Sequence, residues 1–215
     1  MADDLSGKEA KRAIRERLLD ARRALSGEEV REAAGAFARQ ALGLPELSEA
    51  ATVAAYVSVG REPGTRALLD ALRERGVRVL LPVLLPDNDL DWGVYEGAER
   101  LARAGRGLLE PAGPRLGTDG VLEADAVLLP GLAVDGRGMR LGRGGGSYDR
   151  VLERIGRDAP GERGERGGAG ERPALVVLLY THEVVERVPA EPHDHPVHAV
   201  ITPEGVRRFS PPASV

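Results

Sequence analysis

Apolar positions in the first forty residues recur every three to four places. Ile14, Leu18, Ala21 and Leu25 form one stripe of a helix over Lys8–Ala24, and Ser6 with Glu9 has the S-x-x-E spacing of a capping box at its start. Lys11 and Arg15 stand one turn apart, on a side away from that stripe. Ser26 and Glu29 repeat the box and predict a second helix running to about Leu42, after which Pro45 and Ser48 interrupt the pattern. The rhythm then changes. Thr52–Val57 and Val77–Leu81 are short apolar runs bounded by turn residues, so both read as buried strands, the second ended by Pro82. Between them Thr65–Arg75 reads as a helix with Leu68, Leu69 and Leu72 facing inward. Leu90–Val94 is a weaker strand and Ala126–Leu129 a strong one, stopped by Pro130. Tyr148–Arg157 reads as a helix, Leu175–Tyr180 as a strand and Ala199–Ile201 as a last short strand. Thr202 followed by Pro203 has the form of a helix start, which predicts a brief closing helix.

Strands separated by helices imply a mostly parallel sheet covered on both faces, the α/β class. No internal repeat or second-domain boundary is visible, so residues 1–215 read as a single domain with N-terminal helices. Pro160–Arg172 is the exception: Gly, Glu and Arg in near-repeat, with Ala169 its single apolar side chain, which predicts a mobile insertion at 160–172.

Composition narrows the function. The chain has no cysteine, which excludes disulfides, thiolate metal sites and cysteine nucleophiles. Its net charge of −4 and its 3% aromatic content argue against a nucleic-acid surface. No apolar run approaches the roughly 20 residues of a membrane span, and Met1–Ser6 is unlike a signal peptide; the expectation is a soluble, cytoplasmic protein, with a monomer favoured. Of 30 basic residues only Lys8 and Lys11 are lysines. A retained ammonium marks either a site that wants a compact point charge or a solvated helix face.

The chemistry concentrates in Pro130–Arg150, PGLAVDGRGMRLGRGGGSYDR, where six of the eleven residues from Gly136 to Gly146 are glycine. Glycine lets backbone N–H groups approach an anion, and a helix start adds favourable partial charge. Arg140 and Arg143 supply forked donors for phosphate oxygens, and Asp149 stands where a metal bridging those phosphates could be held. Fixing eleven such residues costs on the order of 11–22 kcal/mol of backbone entropy, so the loop is expected to be mobile when empty and ordered by nucleotide. It is neither a P-loop, lacking Gly-Lys-Ser/Thr, nor a dinucleotide fingerprint. On pattern alone an RGG-like RNA-binding segment or a plain surface loop stays open.

The segment LPGLAVDGRGMRLGRGGGSYDRVL resembles the signature of the 5-formyltetrahydrofolate cyclo-ligase family, also called methenyltetrahydrofolate synthetases. KRAIRERLLDARRALS, AYVSVGREPGT, LLEP at Leu108–Pro111 and HDHPVHAVIT match further family segments in order. The resemblance implies a three-layer α/β/α Rossmann-like fold. It also implies ATP- and Mg2+-dependent cyclisation of 5-formyltetrahydrofolate to 5,10-methenyltetrahydrofolate, with ADP and phosphate released and the formyl oxygen phosphorylated on the way. It assigns nucleotide contacts to Lys11, Arg12, Ala13, Ile14 and Arg15, and to Arg140, Leu141, Gly142, Arg143, Gly144, Gly145, Gly146, Ser147 and Tyr148. Val59, Glu62 and Gly64 would line the folate pocket together with Arg143 to Ser147. Asp149 and Asp194 would hold magnesium, with Arg143 and Lys11 as the catalytic pair. The partner implied is a reduced folate.

Three positions depart from the family pattern. The family often has an acid where Gly64 stands, Ser147 replaces the first of two tyrosines, and His198 stands in the place of an aspartate. These departures motivate an alternative, a catalytically weakened nucleotide- or folate-binding protein of the same fold. HDHPVH also admits a transition-metal cluster of His193, Asp194, His195 and His198; the intervening Pro196 makes this the weaker reading.

Overall fold

A computed structural model of the protein describes residues 2–157, 172–191 and 194–209, with side chains from Gly7 onward. In chain order the elements are helices α1 (Ala2–Ala24), α2 (Gly27–Leu42) and α3 (Pro45–Ser48), strand β1 (Thr52–Ala54), helix α4 (Arg66–Glu74), and strands β2 (Arg78–Leu84), β3 (Leu90–Val94), β4 (Leu101–Arg103), β5 (Leu109–Pro111), β6 (Ala126–Leu129), β7 (Ala133–Val134) and β8 (Arg140–Leu141). Helix α5 (Ser147–Arg157) and strands β9 (Ala174–Leu178), β10 (Ala199–Thr202) and β11 (Gly205–Arg208) complete the described chain.

Seven strands form one sheet in the order β11-β10-β9-β6-β1-β2-β3. The five central strands run parallel, and the edge strands β3 and β11 pair antiparallel to β2 and β10. Side chains alternate between two cores, as a strand's period of two requires. Ala126 and Leu128 of β6 pack with Phe37 of α2 and with Leu68, Leu69 and Leu72 of α4. Val127 and Leu129 pack with Val151, Leu152 and Ile155 of α5. The fold is the expected three-layer α/β arrangement.

A third cluster sets the site. Leu18 of α1 is buried against Leu132, Ala133, Leu141 and Val188, so α1 lies on the β7/β8 hairpin rather than on the main sheet. Burial of a leucine stabilises by roughly 1.5–3 kcal/mol, which fixes the helix at its middle.

Three local expectations are corrected. Helix α1 begins at Ala2, so Ser6 lies inside it rather than at its start. The Ser26–Glu29 box is present, with bonds of 2.7 and 3.1 Å. Pro82 does not end β2: it sits opposite Trp92, whose carbonyl accepts from Leu116 instead, so no ladder bond is lost there. Thr202 opens a hairpin rather than a helix, because its hydroxyl closes the turn onto the Gly205 carbonyl and β11 covers the edge of β10. The insertion at 160–172 lies outside the described residues except for Arg172.

Candidate active site

The glycine-rich segment leaves the carboxyl end of β6, next to the ends of β1 and β9. In parallel α/β sheets ligands bind outside those ends. Its first half is not a loose loop. Leu132 donates to Leu141 across the β7/β8 pair at 2.7 Å, and the turn is organised by Asp135, which is fully buried. Burial opposes the charge of that carboxylate, but Arg137 and the N–H groups of Val188, Arg137 and Met139 more than offset it and hold its pKa down. Gly138 has φ +79° and packs so closely that a Cβ would lie 2.7 Å from the Val197 carbonyl. Within the eleven-residue loop, Gly136–Leu141 is thus tied into the hairpin. Gly142–Gly146 is the open part, an arc with Gly144 and Gly146 at positive φ that leads into α5.

Arg140 anchors the root of this arc. Its side chain is buried, donating to the Pro130 carbonyl at 2.9 Å and to Asp149 at 3.2 Å, while its Nε has no partner among the described residues. Burial lowers its pKa even with Asp149 alongside.

Helix α1 brings the N-terminal cations to the arc. Arg15 donates to the Gly142 carbonyl at 2.9 Å. Lys11 lies 2.9 Å from Glu191 and 3.2 Å from Asp194 with only 13% of its side chain exposed, so it is no solvated face residue. Burial opposes its charge, but the two carboxylates outweigh that and raise its pKa. Ile14 packs inward beside Leu18. Arg12 and Ala13 are not brought to the arc: both are exposed, and Arg12 pairs with Glu16 one turn along the helix.

The opposite wall is the Ser58–Thr65 loop. The Thr65 hydroxyl donates to the Tyr56 carbonyl and accepts from Ser58, and Glu62 accepts the N–H of Val59 at 2.9 Å. The second Glu62 oxygen accepts from Arg143 at 3.0 Å, so the arc touches this wall. A Cβ on Gly64 would lie 2.6 Å from that of Ala34 on α2, so an acid at position 64 needs the helix to move.

Asp149, at the start of α5, is exposed. With Asp194, Arg140, Glu153 and His195 it lines an open cleft of about 230 Å³. The described histidines diverge: His182 stacks on Tyr180, His195 faces the cleft beside Gly156, and the Nδ1 of His198 accepts from Leu175 at 2.7 Å. Burial lowers the His198 pKa, and His193 lies outside the described residues. No group of three or more His, Cys, Asp or Glu among the described residues could hold a metal, and a cluster that includes His193 lies outside that set.

The sequence profile of the 5-formyltetrahydrofolate cyclo-ligase family matches residues 7–203, a span that includes both walls, the arc and the cleft. The chain belongs to this family. Among relatives, the 5-formyltetrahydrofolate cyclo-ligase of Mycolicibacterium smegmatis is 40% identical over 200 residues, covering 91% of this chain and 94% of its own. The enzyme of the same name from Escherichia coli is 32% identical over 193 residues, covering 86% and 96%. The solved 5,10-methenyltetrahydrofolate synthetase of Aquifex aeolicus superposes with a TM-score of 0.75 at 27% identity, covering 95% of each chain. The chain is thus an enzyme with the cyclo-ligase fold, and the activity its family indicates is that of a 5-formyltetrahydrofolate cyclo-ligase. No helix among the described residues is long and apolar enough to cross a membrane.

Sequence reasoning missed Glu191, which shares Lys11 with Asp194, and the buried pair of Arg22 with Glu183. Arg22 follows Leu18 at i+4 on the buried side of α1, a spacing that signals an inward guanidinium.

Proposed function

We propose that the enzyme converts 5-formyltetrahydrofolate to 5,10-methenyltetrahydrofolate at the expense of ATP, with the triphosphate held between α1 and the glycine arc and the folate against the Ser58–Thr65 wall. The observation that supports this most is Arg143, which stands on the nucleotide arc and reaches Glu62 on the opposite wall. A group transferred between two ligands needs such a bridge.

A formamide oxygen is a poor leaving group, and phosphorylation makes it a good one. In the proposed reaction the formyl oxygen attacks the terminal phosphorus and ADP departs. The neighbouring folate nitrogen N10 then attacks the formyl carbon and gives up its proton. The carbon–oxygen bond breaks, phosphate leaves, and the N5–CH–N10 bridge remains. The chemistry asks the protein for positioning and charge neutralisation, with no nucleophilic side chain. Lys11 and Arg15 neutralise the phosphates, and Arg143 orients the terminal phosphate toward the folate. The N–H groups of Gly142 to Tyr148 line the phosphate path, with Arg140 fixing the root of the arc. Val59, Glu62 and Gly64 shape the folate side.

Magnesium favours oxygen ligands and is commonly held by one or two carboxylates together with phosphates and water. Asp149 and Asp194 suit that donor set, because both are carboxylates on one cleft. Bound there with the nucleotide, Mg2+ would supply charge stabilisation for the transferring phosphoryl group. The reading places the enzyme in the cytoplasm acting on a small molecule, with no nucleic-acid or membrane partner.

The test is a spectrophotometric assay of methenyl-folate formation. Absorbance is expected to rise when 5-formyltetrahydrofolate is added with ATP and Mg2+, and not when ATP is withheld or the metal is chelated. Binding of either ligand without turnover would favour the weakened binding protein that Gly64, Ser147 and His198 suggest.

A further inference from the structure

Four buried side-chain nitrogen or oxygen atoms among the described residues have no hydrogen-bond partner. One, the Trp92 Nε1, belongs to the core beside α5. The other three, the Tyr56 and Tyr148 hydroxyls and the Arg140 Nε, belong to residues just after β1, at the start of α5 and on β8, near enough that Tyr148 acts electrostatically on Tyr56 and Arg140 on Tyr148. Native proteins leave few buried polar atoms unpaired, since each one costs the hydrogen bond it made with water. A concentration of them at one place needs a reason.

Tyr56 follows β1 by two residues and shares the sheet face of Ala54, the face on which α5 and Tyr148 lie. Its backbone is fixed by the Thr65 hydroxyl at 2.7 Å, which ties it into the loop that carries Val59 and Glu62. Burial raises the pKa of both phenols, and the negative charge of Glu62 adds to the effect, so each keeps its proton. Glu62 itself is already engaged with Val59 and Arg143. The cleft beside Asp149 and Asp194 does not include Tyr56, so a nucleotide seated there would not meet it.

We infer that the Tyr56 hydroxyl is a specificity-determining contact for the bicyclic head of the reduced folate, held in reserve in the empty protein and paired when that ring enters. The ring edge alternates N–H donors with carbonyl and imine acceptors, and a neutral phenol can serve either. Tyr148, on the neighbouring helix start, offers a second hydroxyl to the same ligand. This assignment rests on the folate reading of the Ser58–Thr65 wall.

Tyr56→Phe removes the oxygen and nothing else, so the variant is expected to fold. Calorimetric titration with 5-formyltetrahydrofolate should show Kd raised about tenfold, the loss of one buried hydrogen bond, with Kd for ATP unchanged. The melting temperature of the unliganded variant should equal or exceed that of the parent, because a hydroxyl without a partner gives the empty fold no support. An unchanged folate Kd overturns the inference. So does a lower melting temperature accompanied by equal losses for folate and ATP, the signature of a hydroxyl that serves folding. If the parent protein itself binds no 5-formyltetrahydrofolate, the proposed function fails first; if the parent binds it and Tyr56→Phe binds it equally well, this assignment alone fails.

Discussion

The two halves of α1 are built on different physics. Around Leu18 and Arg22 the helix is sealed. Arg22 is 4% exposed and donates to both oxygens of Glu183, at 2.6 and 2.9 Å, and to the Gly131 carbonyl at 2.7 Å. Glu183 is fully buried and also accepts the N–H of Tyr180, whose hydroxyl reaches the Arg61 carbonyl beside Glu62. One turn or two toward the N-terminus, Arg15 makes one polar contact and Lys11 two, at the rim of the cleft. A buried pair holds its geometry because breaking one side strands the other charge. The carboxylates beside Lys11 keep 35% and 22% of their side chains exposed, so a phosphate oxygen can replace them without leaving a fully buried charge behind. The helix is thus clamped at one end and exchangeable at the other, which suits a ligand that must arrive and leave each turnover.

The largest expected effect breaks the clamp. Arg22→Met should lower unfolding free energy by about 3–5 kcal/mol, because Glu183 is left buried and unpaired. Urea denaturation reads this directly, and Glu183→Gln should fall in the same range. A loss below about 1 kcal/mol would mean that the pair is not what fixes the helix.

At the exchangeable end the sign of the comparison reverses. Lys11→Ala should leave the urea midpoint nearly unchanged while kcat/KM for ATP drops about 10–100-fold, the worth of one or two charge-assisted hydrogen bonds to phosphate. The raised pKa adds a pH statement. Lys11 gains a proton-favouring environment on folding, so its contribution is complete below the ordinary lysine range and disappears only as pH rises through its folded pKa. Any pH dependence of ATP use near neutrality must therefore come from another group.

The layered sheet, the two clusters of helical leucines and the position of the glycine arc were legible because period and punctuation report them directly. What was hidden depends on distant partners. Asp135 reads as an ordinary loop acid until the hairpin wraps Val188 around it, and Lys11 reads as a surface cation until Glu191, 180 positions away, arrives beside it. Pro82 misled for a related reason: proline ends a strand unless the register leaves its nitrogen on the unbonded side, and register belongs to the pair rather than to the run. Gly64 and Ala34 make the same point sterically, since the absence of a side chain at one position is explained by a methyl group on another helix.

The smallest effect is the sharpest test of which cations on α1 matter. Arg12 immediately follows Lys11, and the family resemblance groups it with the nucleotide contacts. Its guanidinium nevertheless points to solvent and pairs with Glu16 at 2.8 Å, with both side chains more than half exposed. Arg12→Ala should change stability by no more than about 0.5 kcal/mol, the value of an i,i+4 surface pair. KM for ATP should stay within twofold of the parent, while Lys11→Ala, one residue away, moves it severalfold. Equal effects of the two substitutions would mean that the helix N-terminus acts through total charge, and the distinction between a placed ammonium and a solvated guanidinium would fall. Repeating both measurements at high ionic strength separates the cases, because diffuse attraction is screened over about 10 Å at 0.1 M salt whereas a seated contact survives.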